Sequence, residues 1–203
     1  MSAYTPAGFS RITPLPVIWK LPPLLLGIIW TYYAPLIWFI ACHQSAWAAR
    51  RCCAPAIKYY LVDAALRNAV LLRGEEVLAN PDDMGMIVET TVLRHLYAYH
   101  YRDTPQIAYW RDAVSHKEVD IIVKSPAYHL VFEIKYCERA SVDTKSGLAL
   151  YSAAEGLNQA YLVTKQDTGF GVTGLKGLST HILKVPAHIL CYLLGQAERV
   201  LWG

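Results

Sequence analysis

The sequence lacks the motifs by which several common classes of site are recognised. Its five cysteines form no C-x-x-C pair, and no arrangement of His and Cys has the spacing of a zinc site. The run from Gly174 to Thr180, G-L-K-G-L-S-T, lacks the G-x-x-x-x-G-K-[ST] spacing of a phosphate loop. These absences argue against zinc, a disulfide framework and a P-loop nucleotide site. The odd number of thiols predicts reduced cysteines and a cytoplasmic location.

Charge is also scarce along the chain. Charged residues make up 17% of the 203 residues, and the formal net charge is only +3. This balance is compatible with DNA contact but does not indicate it, because nucleic-acid-binding domains often carry a clear basic cluster. The length suits one domain with an appendage, and the sequence contains no internal repeat.

The N-terminal quarter has no Asp, Glu, Lys or Arg between residues 21 and 49. Its apolar run over residues 21–42 exceeds the roughly 20 residues that a membrane helix needs. Arg50 and Arg51 follow, so the positive-inside rule would leave the rest of the chain in the cytoplasm. Three prolines within the run count against a continuous helix.

Three interpretations of residues 1–55 therefore stay open. This stretch is a membrane anchor acting through residues 21–42, an apolar extension that is buried or poorly folded, or out-of-frame sequence joined to a truncated gene. In each case residues 56–203 are expected to form the folded domain, because this part is long enough to bury a core.

Hydrophobic periodicity in residues 56–203 predicts an α/β fold, a mixed sheet flanked by helices. Asp63 is expected to cap the first helix, and Asp82 or Asp83 the second. Glycines between residues 169 and 177 predict a loop. The predicted helices are 62–72, 84–101, 144–155 and 187–199, and the predicted strands are 107–112, 118–124, 129–135, 159–164 and 181–185.

The strands 118–124 and 129–135 flank a four-residue turn that contains Pro126, which predicts a β-hairpin. If Lys124 faces His129, then Asp120 lies opposite Glu133, and Glu118 lies opposite Lys135. Because side chains alternate along a strand, the four are expected on one face. The other face is expected to carry the apolar residues Val119, Ile121, Val123, Leu130, Phe132 and Ile134.

Two carboxylates directly opposite each other repel, unless a cation lies between them. Asp120 and Glu133 would stand about 5 Å apart at their Cβ atoms, which suits a hard divalent cation such as Mg²⁺ or Mn²⁺. Lys135 would lie beside a substrate phosphate or an attacking water. This combination is suited to phosphodiester hydrolysis. The alternative for a Glu-x-Lys on a strand is an ordinary solvated face.

Asp120 followed by Glu133-Ile134-Lys135 resembles the PD-(D/E)XK nuclease superfamily, with Val119 in place of its proline. The resemblance implies a restriction-endonuclease-like fold in which Asp120 and Glu133 bind metal. It also implies catalytic roles for Lys135 and for Glu89 on the preceding helix. Arg111 and Gln159 are the candidates for contacts with substrate, although each is also an ordinary polar residue of a strand.

A more specific resemblance runs through five segments in order, and it is to the C-terminal half of the family called domain of unknown function 4143. That domain usually follows an AAA-type ATPase module in prokaryotic proteins. The resemblance implies DNA as a substrate and an ATPase module, in trans, as a partner. It also admits an inactive DNA- or protein-binding module of the same fold. The segments are Lys58–Asn68, Gly85–Glu89, Tyr109–Arg111, Glu118–Asp120 and Glu133–Lys135.

Overall fold

The computed structural model describes residues 39–44, 57–175 and 177–202, and the strands in these ranges form an eight-stranded mixed sheet. The strands are β1 (Phe39–Gln44), β2 (Ile57–Leu61), β3 (Gln106–Arg111), β4 (Glu118–Lys124), β5 (His129–Lys135), β6 (Gln159–Thr164), β7 (Gly171–Gly174) and β8 (His181–Pro186). Their order across the sheet is β2-β1-β3-β4-β5-β6-β8-β7.

The centre of the sheet is an antiparallel meander joined to a parallel half. β3, β4 and β5 pair antiparallel in sequence, while β5, β6 and β8 pair parallel. The parallel connection from β5 to β6 needs a crossover, and a helix supplies it. The predicted α/β architecture with a mixed sheet is therefore confirmed.

Helices cover both faces of the sheet. The helices are α1 (Leu66–Val70), α2 (Glu76–Ala79), α3 (Pro81–His100), α4 (Gly147–Ala154) and α5 (Ala187–Trp202). α3 and α5 contact each other and bury one face, where Leu93 and Leu96 pack with Ile121 and Phe132. On the opposite face, Leu148 and Tyr151 of α4 pack in a second cluster with residues of β4 and β5.

The first two predicted helix starts are corrected by the structure. Asp63 accepts a hydrogen bond from the amide of Ala65 at 2.8 Å in a turn, and the helix begins only at Leu66. α3 begins at Pro81, and Asn80, rather than Asp82 or Asp83, caps it by accepting from two backbone amides. Asn at the cap followed by proline is a favoured start, since proline needs no hydrogen-bond acceptor there.

Asp83 instead forms a buried ion-pair triad that ties α3 to the segment before it. Its two carboxylate oxygens lie 2.9 Å from Arg67 and 2.7 Å from Arg73. Burial alone would raise the pKa of Asp83, but the two guanidinium groups outweigh burial and hold that pKa below its ordinary value. We call Arg67, Arg73 and Asp83 the arginine clamp.

The sequence pattern does not predict three of the eight strands, β1, β2 and β7. The glycine-containing stretch predicted as a loop contains β7, a four-residue strand at one edge of the sheet. Residues 39–42, assigned to the apolar span, lie in β1, which pairs with β2 and β3. The rest of that proposed span, residues 21–38, lies outside the described residues. No helix in the described part of the chain is long and apolar enough to cross a bilayer.

Candidate functional site

The β4–β5 hairpin has the predicted register only along part of its length. Lys124 pairs with His129, and the ladder continues to Ile121 and Phe132, where it ends. At the next position Asp120 accepts a hydrogen bond through Oδ2 from the amide of Ile134 at 2.7 Å. This bond directs the Asp120 side chain toward β5.

A β-bulge in β4 lies at the same position. β3 advances two residues from Ala108 to Trp110 while β4 advances three, from Ile122 to Val119. An extra residue of this kind changes which face the following side chains occupy. Val119 accordingly packs with Ile122 in the cluster covered by α4. The prediction that Val119 shares a face with Ile121 is wrong.

The bulge also separates Glu118 from its predicted partner. Glu118 contacts the ammonium of Lys58, and its Oε2 lies 3.7 Å from Nε of Arg111. Lys135 donates a hydrogen bond through Nζ to the carbonyl of Ser141 at 2.8 Å. The expected pairing of Glu118 with Lys135 is therefore replaced by two separate contacts.

Four acidic side chains lie near enough at this end of the hairpin to affect one another's ionisation, and we call Glu89, Glu118, Asp120 and Glu133 the carboxylate cluster. Glu89 comes from the middle of α3 and is fixed against the sheet, because its Oε1 accepts a hydrogen bond from the hydroxyl of Tyr60 at 2.5 Å. The cluster therefore joins a helix to strands β2, β4 and β5.

Lys58 of β2 is the buried cation of the carboxylate cluster. Only 8% of the residue is exposed, and its Nζ contacts Glu118 and lies 3.7 Å from Glu89. The ammonium also lies 5.0 Å from the centre of the Tyr109 ring, a cation–π distance. Burial would lower the pKa of Lys58, but Glu89, Glu118 and Asp120 outweigh it and raise that pKa. Lys58 is therefore charged.

One ammonium does not balance the cluster. Burial raises the pKa of Asp120 well above its ordinary range, and the neighbouring Glu89 and Glu133 raise it further. Burial likewise raises the pKa of Glu133 to about 7, against the opposing effect of Lys135. Oε2 of Glu133 is buried and makes no hydrogen bond. The surroundings of Asp120 and Glu133 therefore do not fully compensate the negative charge that each group would carry when ionised.

Asp120 and Glu133 are consequently the carboxylates whose chemistry best fits a divalent cation. Mg²⁺ takes one or two protein carboxylates and keeps several waters, so two acidic groups with uncompensated charge suffice. Among the residues that the structure describes, no group of three or more His, Cys, Asp or Glu side chains is arranged to hold a metal ion. A fit to magnesium therefore depends on this pair, with Glu89 nearby.

The other predicted site residues divide into two groups. Arg111 is drawn to the cluster through Glu118, and Lys135 lies close enough to Glu133 to affect its pKa. Gln159 is at the far end of its strand, where it donates a hydrogen bond to the hydroxyl of Tyr161 at 3.0 Å. The β5–β6 register sets Leu162 beside Glu133, so Gln159 is three residues, roughly 10 Å, away along β6.

Gly147, the first residue of α4, lies directly against the bulged end of β4. A Cβ atom at this position would stand 2.8 Å from the backbone nitrogen of Glu118 and closer still to its carbonyl oxygen. Only glycine allows the start of α4, capped by the Ser146 hydroxyl, to approach the strand this closely. The site therefore depends on a glycine that carries no functional group.

Lys58, Tyr60 and Gly147 were not identified as site residues from the sequence. Lys58 and Tyr60 are two positions apart, so they share one face of β2 once that segment is recognised as a strand. The pairing of β2 with β1 cannot be read from local pattern, because β1 lies in a stretch without charged residues. No local signal marks Gly147 beyond its position after a capping serine.

Comparison with known proteins gives one result that bears on identity. No curated protein and no solved structure matches the chain. The family described as Domain of unknown function (DUF4143) matches residues 84–186, which run from α3 to the end of β8 and include all four acidic residues of the carboxylate cluster. This chain belongs to the DUF4143 family.

Proposed function

We propose that the domain is a Mg²⁺- or Mn²⁺-dependent nuclease that hydrolyses DNA phosphodiesters. The observation that carries the proposal is the buried Oε2 of Glu133, which has no hydrogen-bond partner and lies near a second acid of raised pKa, Asp120. Buried carboxylates without partners are costly, and a cation removes that cost.

The acidic residues of the cluster would have different roles in the proposed reaction. Asp120 and Glu133 would hold the divalent ion, which when bound offsets negative charge at the phosphate and promotes attack by water. Glu89, fixed by the hydroxyl of Tyr60, lies where it would orient the ligands from the helix side. Asp120 is kept in one orientation by the Ile134 amide, so its position does not depend on the ion.

Two cationic side chains would act on the substrate. Lys135 would exchange its hydrogen bond with the Ser141 carbonyl for one with a phosphate oxygen or an attacking water. Arg111, partly buried beside Glu118, would contact a neighbouring phosphate. The order Glu89, Asp120, Glu133, Lys135 along the chain resembles the PD-(D/E)XK nucleases, and this resemblance supports the assignment of roles.

A second candidate function is supported by a different observation. The ammonium of Lys58 already lies against Glu118 and near Glu89. If Lys58 compensates the charge of the acidic side chains, the site needs no metal. The domain would then be a non-catalytic module that binds DNA or protein without metal. Such a module would act with an ATPase module supplied in trans, as the family resemblance implies.

Calorimetric titration of the full chain with Mg²⁺ and Mn²⁺ tests the first proposal. We expect saturable binding that Asp120→Asn and Glu133→Gln each abolish, and that Glu75→Gln, at an exposed acid of the α2 start, leaves unchanged. Cleavage of labelled single- and double-stranded DNA should then need the metal and be lost in Lys135→Met. A wild-type chain that binds no metal at millimolar concentration but retains DNA in EDTA would favour the second candidate.

A further inference from the structure

The contacts of Lys58 lead to an inference about how the carboxylate cluster selects cations. We propose that Lys58 is a resident counter-ion that a divalent cation must displace from the carboxylate cluster, so that Lys58 sets the affinity and selectivity of the site. The inference rests on the proposed function, because it assumes that Asp120 and Glu133 take up a metal ion. It assigns a role to a residue outside the matched family region, residues 84–186.

The position of Lys58 supports competition rather than simple surface pairing. The residue is only 8% exposed, and its ammonium contacts Glu118 while lying 3.7 Å from Glu89. An ammonium buried to this extent has lost most of its water and is retained only where several groups compensate it. Glu118, Glu89 and the ring of Tyr109 supply that compensation from three different elements.

Either cation would lie within the same carboxylate cluster. Oε1 of Glu89 is shared between the Tyr60 hydroxyl and Lys58, so a divalent ion held by Asp120 and Glu133, with Glu89 nearby, would lie close to the ammonium. Two positive charges in one desolvated site repel strongly, since their interaction is screened far less than in water. The cluster is therefore expected to hold Lys58 or a metal ion tightly, but not both.

The charge of the side chain at position 58 should therefore determine how a substitution there changes the affinity for a divalent cation. Lys58→Met keeps a long unbranched side chain but removes the ammonium, whereas Lys58→Arg keeps a positive charge. Lys124→Met is a matched control, because Lys124 is also an ion-paired lysine on a strand, 3.2 Å from Glu155, but at the other end of β4. Each variant is compared with the wild-type full chain by titration with Mn²⁺.

We expect the Mn²⁺ dissociation constant to fall at least about tenfold in Lys58→Met. In Lys58→Arg and Lys124→Met it should stay within about threefold of the wild-type value. Tighter binding in Lys58→Met should also appear as a larger rise in melting temperature on addition of Mn²⁺, which needs no assay of activity. Equal affinities for folded Lys58→Met and wild type would overturn the inference and leave the proposed function intact.

A second variant covers the case in which Lys58→Met does not fold. Lys58→Met combined with Glu118→Gln removes both partners of the ion pair, so Glu118 is not left as a buried charge without its counterpart. The double variant keeps Asp120 and Glu133 and should show the same gain in affinity. Binding by the variants but not by wild type would support displacement, while absence of binding in every chain would contradict the proposed function itself.

Discussion

The arginine clamp and the carboxylate cluster are two buried charge assemblies with opposite balances. In the clamp, one carboxylate lies within 2.9 Å of two guanidinium groups. In the cluster, the buried ammonium of Lys58 contacts Glu118 and lies 3.7 Å from Glu89, and the second lysine, Lys135, directs its hydrogen bond to a backbone carbonyl. Both assemblies involve α3. The clamp, in which basic groups outnumber the acid, lies at the start of this helix, and the cluster, in which acids outnumber the buried ammonium, lies at its middle.

The two balances have opposite effects on acidity. Although burial opposes it, the pKa of Asp83 is lowered by its arginines, so this acid is ionised and stabilises the fold. Burial raises the pKa of Asp120 and of Glu133, with other acids adding to the shift. In the clamp, the two arginines compensate the charge of Asp83, so no further cation is needed. In the carboxylate cluster, the charge that Asp120 and Glu133 would carry is not fully compensated, so a further cation would be stabilising. The proposed cation site is therefore the carboxylate cluster and not the arginine clamp.

The largest effect on stability and metal binding should come from a substitution that distorts the carboxylate cluster and leaves the arginine clamp unchanged. Gly147→Ala would bring a methyl group into the backbone of Glu118, and only movement of α4 or β4 relieves the overlap. We expect a loss of about 3 kcal/mol in the free energy of unfolding, together with loss of metal binding. Urea unfolding followed by circular dichroism measures the first effect, and calorimetry the second.

Gly85→Ala is the matched control for this substitution. Gly85 lies in the first half of α3, between the clamp and the cluster, and a Cβ there would have no heavy atom within 4 Å beyond its chain neighbours and the backbone of its own helix. Since alanine is the better helix former, this change should stabilise the fold by about 0.5 kcal/mol or more. Equal effects of the two substitutions would show that the approach of α4 to Glu118 is unimportant.

Breaking the clamp should have the next largest effect, and its pH dependence has a definite sign. The pKa of Asp83 is lower in the folded chain, so its contribution is present above the unfolded value, near 3.8, and is lost as the pH falls through the folded pKa. We expect Asp83→Asn to cost about 2 kcal/mol at pH 7. Below pH 4 the difference between variant and wild type should shrink.

Urea titrations of wild type and Asp83→Asn at several pH values measure this difference. Asp82→Asn is the control, because Asp82 is an exposed acid in the same first turn of α3 and lies outside the clamp. A constant difference between pH 3 and pH 7 would mean that Asp83 acts through packing rather than through its charge.

These assemblies also show what local sequence pattern can and cannot predict. β4, β5 and β6 have their predicted bounds, because alternating apolar residues and a proline-containing turn specify a hairpin locally. The bulge at Asp120 adds one residue without any change of composition, so the face of Glu118 could not be predicted. The clamp joins Arg67 and Arg73 to Asp83, and Lys58 reaches Glu118 across 60 positions, so both depend on tertiary packing.

The smallest predicted effect concerns the pH dependence of folding stability at Glu133, which should have the opposite sign to that at Asp83. The folded pKa of Glu133 is raised to about 7 from an ordinary 4.5, so the folded chain binds more protons between these values. Stability contributed by the protonated group is complete below pH 4.5 and is lost as the pH rises through about 7. Glu133→Gln should therefore stabilise the metal-free chain at pH 8 by about 1 kcal/mol, allowing for partial exposure.

At pH 5, where Glu133 is protonated, Glu133→Gln should gain almost no stability over wild type. Melting temperatures in EDTA at pH 5 and pH 8 measure both values, and Glu75→Gln, at an exposed acid, serves as the control. Under the proposed function, added Mn²⁺ should reverse the order of the two melting temperatures at pH 8, because only wild type keeps the carboxylate that would bind the ion. Destabilisation by Glu133→Gln in EDTA at pH 8 would mean that Lys58 and Lys135 already compensate the charge, and the site would then resemble the clamp.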